Sequence, residues 1–147
     1  MRFVRFFSII ALFVLFPMRS LPAQTTKESL QNMYMDYLKG EGYTANIDDD
    51  GDVRFRYEGG TYYIIVLEGD PKFIRILYPN FWEIESEEEL MRAYITASYV
   101  SRTTKIAKVF VNRNEDDVSI VAESLLNDPG DFRNHLTRLL STIVTAR

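Results

Sequence analysis

Between Tyr43 and Tyr78 the chain switches repeatedly between runs of alternating apolar residues and glycine-bearing turns. That pattern has period two, and it admits few solutions other than antiparallel β-structure. Tyr43, Ala45 and Ile47 alternate, as do Val53, Phe55 and Tyr57. Asp48-Asp49-Asp50-Gly51-Asp52 separates them. Asp-Gly between such runs signals a hairpin, because Gly tolerates the left-handed turn position and Asp bonds local amides. Gly59-Gly60 makes a second turn. Thr61–Leu67 (TYYIIVL) is β-branched, aromatic and almost unbroken, as expected of a central strand covered on both faces or at an interface. Gly69-Asp70-Pro71 turns again, Phe73–Tyr78 (FIRILY) follows as a strand, and Pro79 is expected to end it. The segment predicts a four-stranded meander.

Helical periodicity flanks it. Thr25 and Glu28 have capping-box spacing, and Leu30, Met33, Tyr34, Tyr37 and Leu38 form one apolar stripe before Gly40 and Gly42. Ser86 and Glu89 repeat the capping spacing, and Glu85, Glu87, Glu88 and Glu89 cluster where the helix dipole favours anions. Leu90, Tyr94 and Ala97 mark the expected inner face of this second helix, with Met91 and Ser101 beside it. Lys105–Asn112 and Val118–Leu126 read as two strands around the polar turn Asn112–Asp117. Asp128-Pro129 opens a last helix with the stripe Phe132, Leu136, Leu139, Leu140 and Ile143. The order α-β-β-β-β-α-β-β-α predicts an α+β domain, an antiparallel sheet with helices packed on one side. No linker or repeat divides residues 24–147.

Met1–Ala23 reads differently. Arg2 and Arg5 precede Phe6–Phe16 (FFSIIALFVLF), then Pro17 and a short stretch ending Ser20-Leu21-Pro22-Ala23. This is the layout of a secretory signal peptide. As a helix, the apolar run spans roughly 16 Å, against about 30 Å of bilayer hydrocarbon. A cleaved signal is therefore expected over an uncleaved anchor, with the cut after Ala23 or after Ser20. Removing Arg2, Arg5 and Arg19 lowers the 17 basic residues to 14 against 21 acidic ones and takes the net charge from −4 to −7. That balance argues against sequence-independent nucleic-acid binding, which needs a basic stripe, and against docking to an anionic membrane. The expected compartment is the periplasm or the exterior of a bacterium.

The chain has no Cys and a single His. Disulfides, thiol catalysis and two-His metal sites are thereby excluded within one chain. The Asp48–Asp52 run fails the calcium EF-loop pattern, because Val53 and Gly59 fall where Gly and Glu are needed. It reads as a solvated hairpin tip. His135 sits at the edge of the last helical stripe, with no G-x-S-x-G elbow in the chain. The glutamates at 83–89 offer carboxylates without the context of an acid–base pair. No Walker loop and no G-x-G-x-x-G occurs. No catalytic residue, cofactor or metal ligand is assigned. Aromatic residues make up 14% of the chain, and Tyr78-Pro79-Asn80-Phe81-Trp82 places three of them in an expected connector. Tyr62, Tyr78, Phe81 and Trp82 are the candidate binding residues, with packing beneath the second helix as the alternative role for the cluster.

Lys39-Gly40-Glu41-Gly42-Tyr43, Asp50-Gly51-Asp52-Val53-Arg54-Phe55 and Gly60-Thr61-Tyr62-Tyr63 together resemble the YbjN-like family. The Lys105–Val111 strand, acidic turn and Val118–Leu126 strand are similar too, so the resemblance covers roughly residues 26–143. It implies a fold related to type III secretion chaperones, in a family described as proposed bacterial sensory transduction regulators, and it brings no catalytic residues. Unlike the usual cytosolic members, this chain is expected to open on a secretory signal. The expected function is a non-enzymatic exported domain, chaperone-like or regulatory, that binds another protein or peptide. A homodimer, or an extended segment added along a sheet edge, would serve it. The second reading is a small-molecule or divalent-metal sensing domain in the periplasm, built on the acidic turns.

Overall fold

In the computed structural model, which describes residues 25–147, the alternating runs pair into an open antiparallel sheet. The elements are α1 (Lys27–Gly40), β1 (Ala45–Ile47), β2 (Val53–Tyr57), β3 (Gly60–Ile65), β4 (Phe73–Glu83), α2 (Glu87–Thr103), β5 (Ala107–Val111), β6 (Asp117–Leu125) and α3 (Phe132–Ala146). A single 3-10 turn, Pro129–Asp131, leads into α3. The six strands run β1-β2-β3-β4-β6-β5. This is the expected α+β order. The signal peptide expected at 1–23 lies outside the described residues.

The turns explain the register. At the β1–β2 tip, Asp48 Oδ1 accepts from the Asp50 and Asp52 amides, and Gly51 takes φ +84°. Asp52 Oδ1 accepts from the Val66 amide, so this carboxylate ties the first hairpin to the chain after β3. α1 grips the same tip through Lys27 Nζ to Asp50 O and Gln31 Nε2 to Gly51 O. Between β2 and β3, Glu58 and Gly59 both have positive φ, the pattern of a two-residue I′ turn, whose twist matches that of the flanking strands.

One sheet face is the core. Val53, Phe55, Tyr62, Ile64, Ile74, Ile76 and Ile120 alternate inward and meet Leu30, Tyr34 and Leu38 of α1 and Phe132, Leu136, Leu139, Leu140 and Ile143 of α3. The α3 stripe is buried as its spacing predicts. Burial pushes the Tyr34 hydroxyl up to about 12. The opposite face carries Arg54, Arg56, Arg75 and Lys108 between half-buried Tyr63 and Leu77. Glu123 accepts there from Arg75 (2.6 Å and 2.7 Å) and from Lys108.

Five local expectations are corrected. The α1 cap is Thr26 with Ser29, not Thr25 with Glu28, because the Thr26 and Ser29 side chains each bond the other's backbone amide. β1 begins at Ala45, two residues after Tyr43. β3 is not covered on both faces, since Thr61, Tyr63 and Ile65 remain half-buried. Pro79 does not end β4: the strand continues to Glu83 through a bulge where pairing shifts from Tyr78–Ile120 to Trp82–Val118. On α2, Ala97 is buried while Tyr94 and Met91 face out.

Two outcomes follow. Asp48→Ala strips two amides of their acceptor and should cost about 1–2 kcal/mol in urea unfolding; an unchanged midpoint would remove the carboxylate from its turn-closing role. Burial raises the Glu123 pKa, but hydrogen bonds from Lys108 and Arg75 and their charges outweigh it and leave the group below the ordinary value. Because the folded pKa is depressed, the stabilisation is whole above the usual carboxylate range and fades as pH falls through the folded value. Glu123→Gln should therefore lose about 1–2 kcal/mol at neutral pH, with the difference from the native chain shrinking in acid.

Candidate functional site

The second half of β4 builds the site. Pro79 has no amide hydrogen to give the ladder. Asn80 at φ +48° turns its amide onto Oγ of buried Ser119 (3.1 Å), on the sheet face opposite the core. That bulge sets Phe81 and Trp82 beside α2.

α2 is pinned at both ends and left apart in the middle. Near its start, Glu89 Oε1 accepts from Trp82 Nε1 (2.7 Å) and Glu89 Oε2 from the Glu85 amide (2.9 Å). The Glu85 amide first, then the Trp82 indole, hold the Glu89 carboxyl below the usual range. Near its end, Ser101 Oγ donates to Val109 O (3.0 Å) and accepts from the Val109 amide (2.7 Å). Between the pins α2 presents Ala93 and Ala97, side chains too short to reach the sheet fully. The result is a groove of about 370 Å³, open to solvent, walled by Phe81, Trp82, Val100, Val109, Val118 and Ala146. Arg92, Glu89 and Arg147 stand in its lining.

The four candidate residues divide. Tyr62, Tyr78 and Phe81 form a ladder: Tyr62 on Tyr78 at 4.5 Å and 11°, Tyr78 on Phe81 at 5.7 Å and 20°. Tyr62 is wholly buried, so it touches no surface partner; it backs the ladder from the core. Its hydroxyl has no hydrogen-bond partner among the described residues, and burial raises its pKa. Tyr78 is half-buried, with the Arg147 guanidinium 5.7 Å over its ring. Phe81 and Trp82 line the groove, and Trp82 is 55% exposed. The aromatic cluster thus both packs beneath α2 and stays accessible. The opposite wall was not singled out from sequence, although Ala93 and Ala97, four apart on a helix otherwise rich in large residues, were a readable signal.

The other chemical candidates sit elsewhere. His135 Nδ1 lies 3.2 Å from Ser124 Oγ in a polar recess with Lys105 and Arg138, whose lining includes no carboxylate. Among the described residues no group of three or more His, Asp or Glu side chains is placed to hold a metal ion. No described helix is long and apolar enough to cross a membrane.

No protein-family model matches this chain. No curated protein matches it either. Solved structures do. The crystal structure of YbjN from E. coli, described as a proposed transcription regulator, superposes with a TM-score of 0.60 at 11% identity, covering 78% of this chain and 86% of that one. An uncharacterized protein from Methanothermobacter thermautotrophicus superposes with a TM-score of 0.56 at 14% identity, covering 80% and 90%. The chain has a YbjN-like fold, as the resemblance in its hairpin segments implied.

Proposed function

We propose that this is an exported, non-enzymatic domain that binds another protein or peptide through the groove between α2 and the sheet. The observation that carries the reading is the groove itself: an open apolar trough with a half-exposed Trp at its lip. Apolar concavities of this size are suited to hold a side chain or short segment, and Trp is a frequent anchor of interfaces. A YbjN-like fold, in a neighbour described as a regulator, is consistent with such a role. The expected leader at Met1–Ala23 supports export to the periplasm or beyond. Within the groove lining Glu89 is the sole carboxylate, and it is already engaged by two N–H donors, which favours binding over acid–base chemistry. The acidic β1–β2 tip is less suited to metal sensing, because Asp48 and Asp52 spend oxygens on backbone amides.

The test joins location and contact. Exported fractions of producing cells should contain the chain shortened after Ala23 or Ser20; full-length chain confined to the cytoplasm would end the export reading. A partner retained from that fraction should be lost at least about tenfold with Trp82→Ala and with Ala93→Trp, which fills the trough. Leu125→Ala, exposed and away from the groove, should leave retention unchanged. Equal retention by all three variants would reject the groove as the contact.

A further inference from the structure

A second concavity shares no lining residue with the groove. It is a recess of about 400 Å³ where the end of α2, the approach to β5, the end of β6 and one flank of α3 meet. α3 supplies His135, Arg138, Thr142 and Thr145 at steps of three and four, so they share one flank beside the buried stripe. Ser124 faces the same side, because its partner on β4 is buried Ile74. Its Oγ lies 3.2 Å from His135 Nδ1. Ser124, His135 and Thr142 are half-buried, while Lys105 and Arg138 are exposed. Ile106 takes φ +57°, a left-handed conformation that a β-branched residue adopts only under constraint. It turns the chain from α2 into β5 and leaves Lys105 in the lining. Strained backbone of this kind gathers at ligand sites.

The cations here are unspent. Elsewhere Arg75 pairs with Glu123 and Arg92 with Glu88, and Arg102, Arg133 and Arg147 lie over aromatic rings. Lys105 and Arg138 join no ion pair and cover no aromatic ring among the described residues. The carboxylates next along the chain are engaged elsewhere. Glu123, beside Ser124, is held on the opposite sheet face by Arg75 and Lys108, and Asp131, one turn before His135, accepts from the Asp128 amide. The dipole of α2 accounts for a cation just past its C-terminus, Lys105. It does not account for Arg138 in the middle of α3. Two like charges thus line one polar recess in a chain of net charge −4, and an anion between them turns repulsion into attraction. Thr142 and Thr145 give their hydroxyl hydrogens to Arg138 O and Ser141 O. The donors left for a guest are the two cations, the imidazole and the hydroxyls of Thr104 and Ser141. A planar carboxylate is met by one bidentate arginine, whereas donors arriving from two elements suit a tetrahedral oxyanion. With no carboxylate in the lining to orient His135, its contact with Ser124 is no nucleophile–base–acid set.

We propose that this recess binds a phosphate-class oxyanion, either phosphate itself or the phosphoryl group of a small molecule. Lys105 and Arg138 supply the charge, His135, Ser141 and Thr104 supply further donors, and Ser124 holds the imidazole in place. At about 400 Å³ the recess falls within the range of small-molecule sites, roughly 300–1,000 Å³, which leaves room for a body beyond the phosphoryl group. The site does not depend on the groove.

Titration of the purified protein with inorganic phosphate, followed by amide NMR shifts, tests it. Ionic strength is held constant, because exposed charges are screened by salt. The expected result is saturable binding with a dissociation constant of at most roughly 1 mM, and shifts centred on residues 104–106, 124 and 135–145. Acetate should bind at least about tenfold more weakly. Methyl phosphate separates the sources: tighter binding than inorganic phosphate marks a phosphorylated small molecule, and equal or weaker binding marks the free ion. Lys105→Gln and Arg138→Gln should each weaken phosphate binding at least about tenfold with an unchanged circular dichroism spectrum, since both side chains are exposed. Lys72→Gln, an exposed cation outside the recess, should leave binding unchanged. Weaker binding than that limit by the unaltered protein overturns the proposal. So does acetate binding within tenfold of phosphate, an affinity that survives either recess variant, or an equal loss with Lys72→Gln. The groove variants Trp82→Ala and Ala93→Trp should leave phosphate binding unchanged, so the two readings fail separately.

Discussion

A proline in a strand with neighbours on both sides leaves one rung of the ladder without a donor, and the rest of the site depends on how β4 absorbs Pro79. Where the ladder lapses, β6 offers a hydroxyl oxygen as acceptor for the next amide, that of Asn80. Ser119 is buried at a position where a Val or Ile would otherwise suit the strand, and its Oγ takes the Asn80 amide. The pairing then resumes two β6 residues on, at Trp82–Val118, after four on β4. Two extra residues on one strand bend it. The bend moves Phe81 and Trp82 toward α2 and lets Glu89 reach the indole. An apolar residue at 119 would take this acceptor from the Asn80 amide, losing a part-buried hydrogen bond. The groove is thus a consequence of a backbone accounting problem solved one strand away.

The same accounting explains why α2 sits where it does. Its inner residues Ala93, Ala97 and Val100 pack against the sheet, and two polar clamps fix its ends. Glu89 fixes one end and Ser101 the other. Each clamp is a pair of hydrogen bonds, directional and short-ranged, which fixes position without filling volume. A helix held by packing alone would collapse onto the sheet and close the space. The large side chains that could have filled it, Met91, Tyr94, Ile95 and Tyr99, are spent on the outer face.

That division also shows why some features were legible in the sequence and others were not. The α3 stripe was legible because five large apolar residues share one narrow face and the rest of the helix up to Ile143 is polar. The hairpins were legible because Asp-Gly and Gly-Gly demand positive φ at defined places. α2 was misread because both its faces carry apolar residues. Periodicity locates a stripe, and a rule that large residues go inside then chose Tyr94 over Ala93. The continuation of β4 was missed because proline in a run argues against a strand, and the rescue by Ser119 lies forty residues away in sequence. Tyr62 was named as a candidate contact, yet it is buried, because alternation alone does not say which of Tyr62 and Tyr63 points inward. Register settles it: Tyr62 pairs with Phe55, inside, and Tyr63 with Arg54, outside.

The two walls of the groove differ in stiffness for reasons already in the sheet. One wall continues the stacked ladder from Tyr62 through Tyr78 to Phe81, backed by buried Tyr62 and by the pairing of β4 with β6. Rigid aromatic surface of this kind costs little entropy when a guest binds. The other wall is α2, whose attachments are two solvent-reachable hydrogen-bonded clamps and a strip of small side chains against the edge strand β5. Widening the groove means moving α2, because moving this end of β4 would break its ladder bonds to β6. The fold therefore offers a fixed aromatic platform opposite an adjustable helix. Polar rim groups Arg92, Glu89 and Arg147 can orient a guest without being desolvated by it. An interface so divided selects for apolar shape at its centre and tolerates variety at its edges, which suits recognition of a segment better than transformation of a substrate.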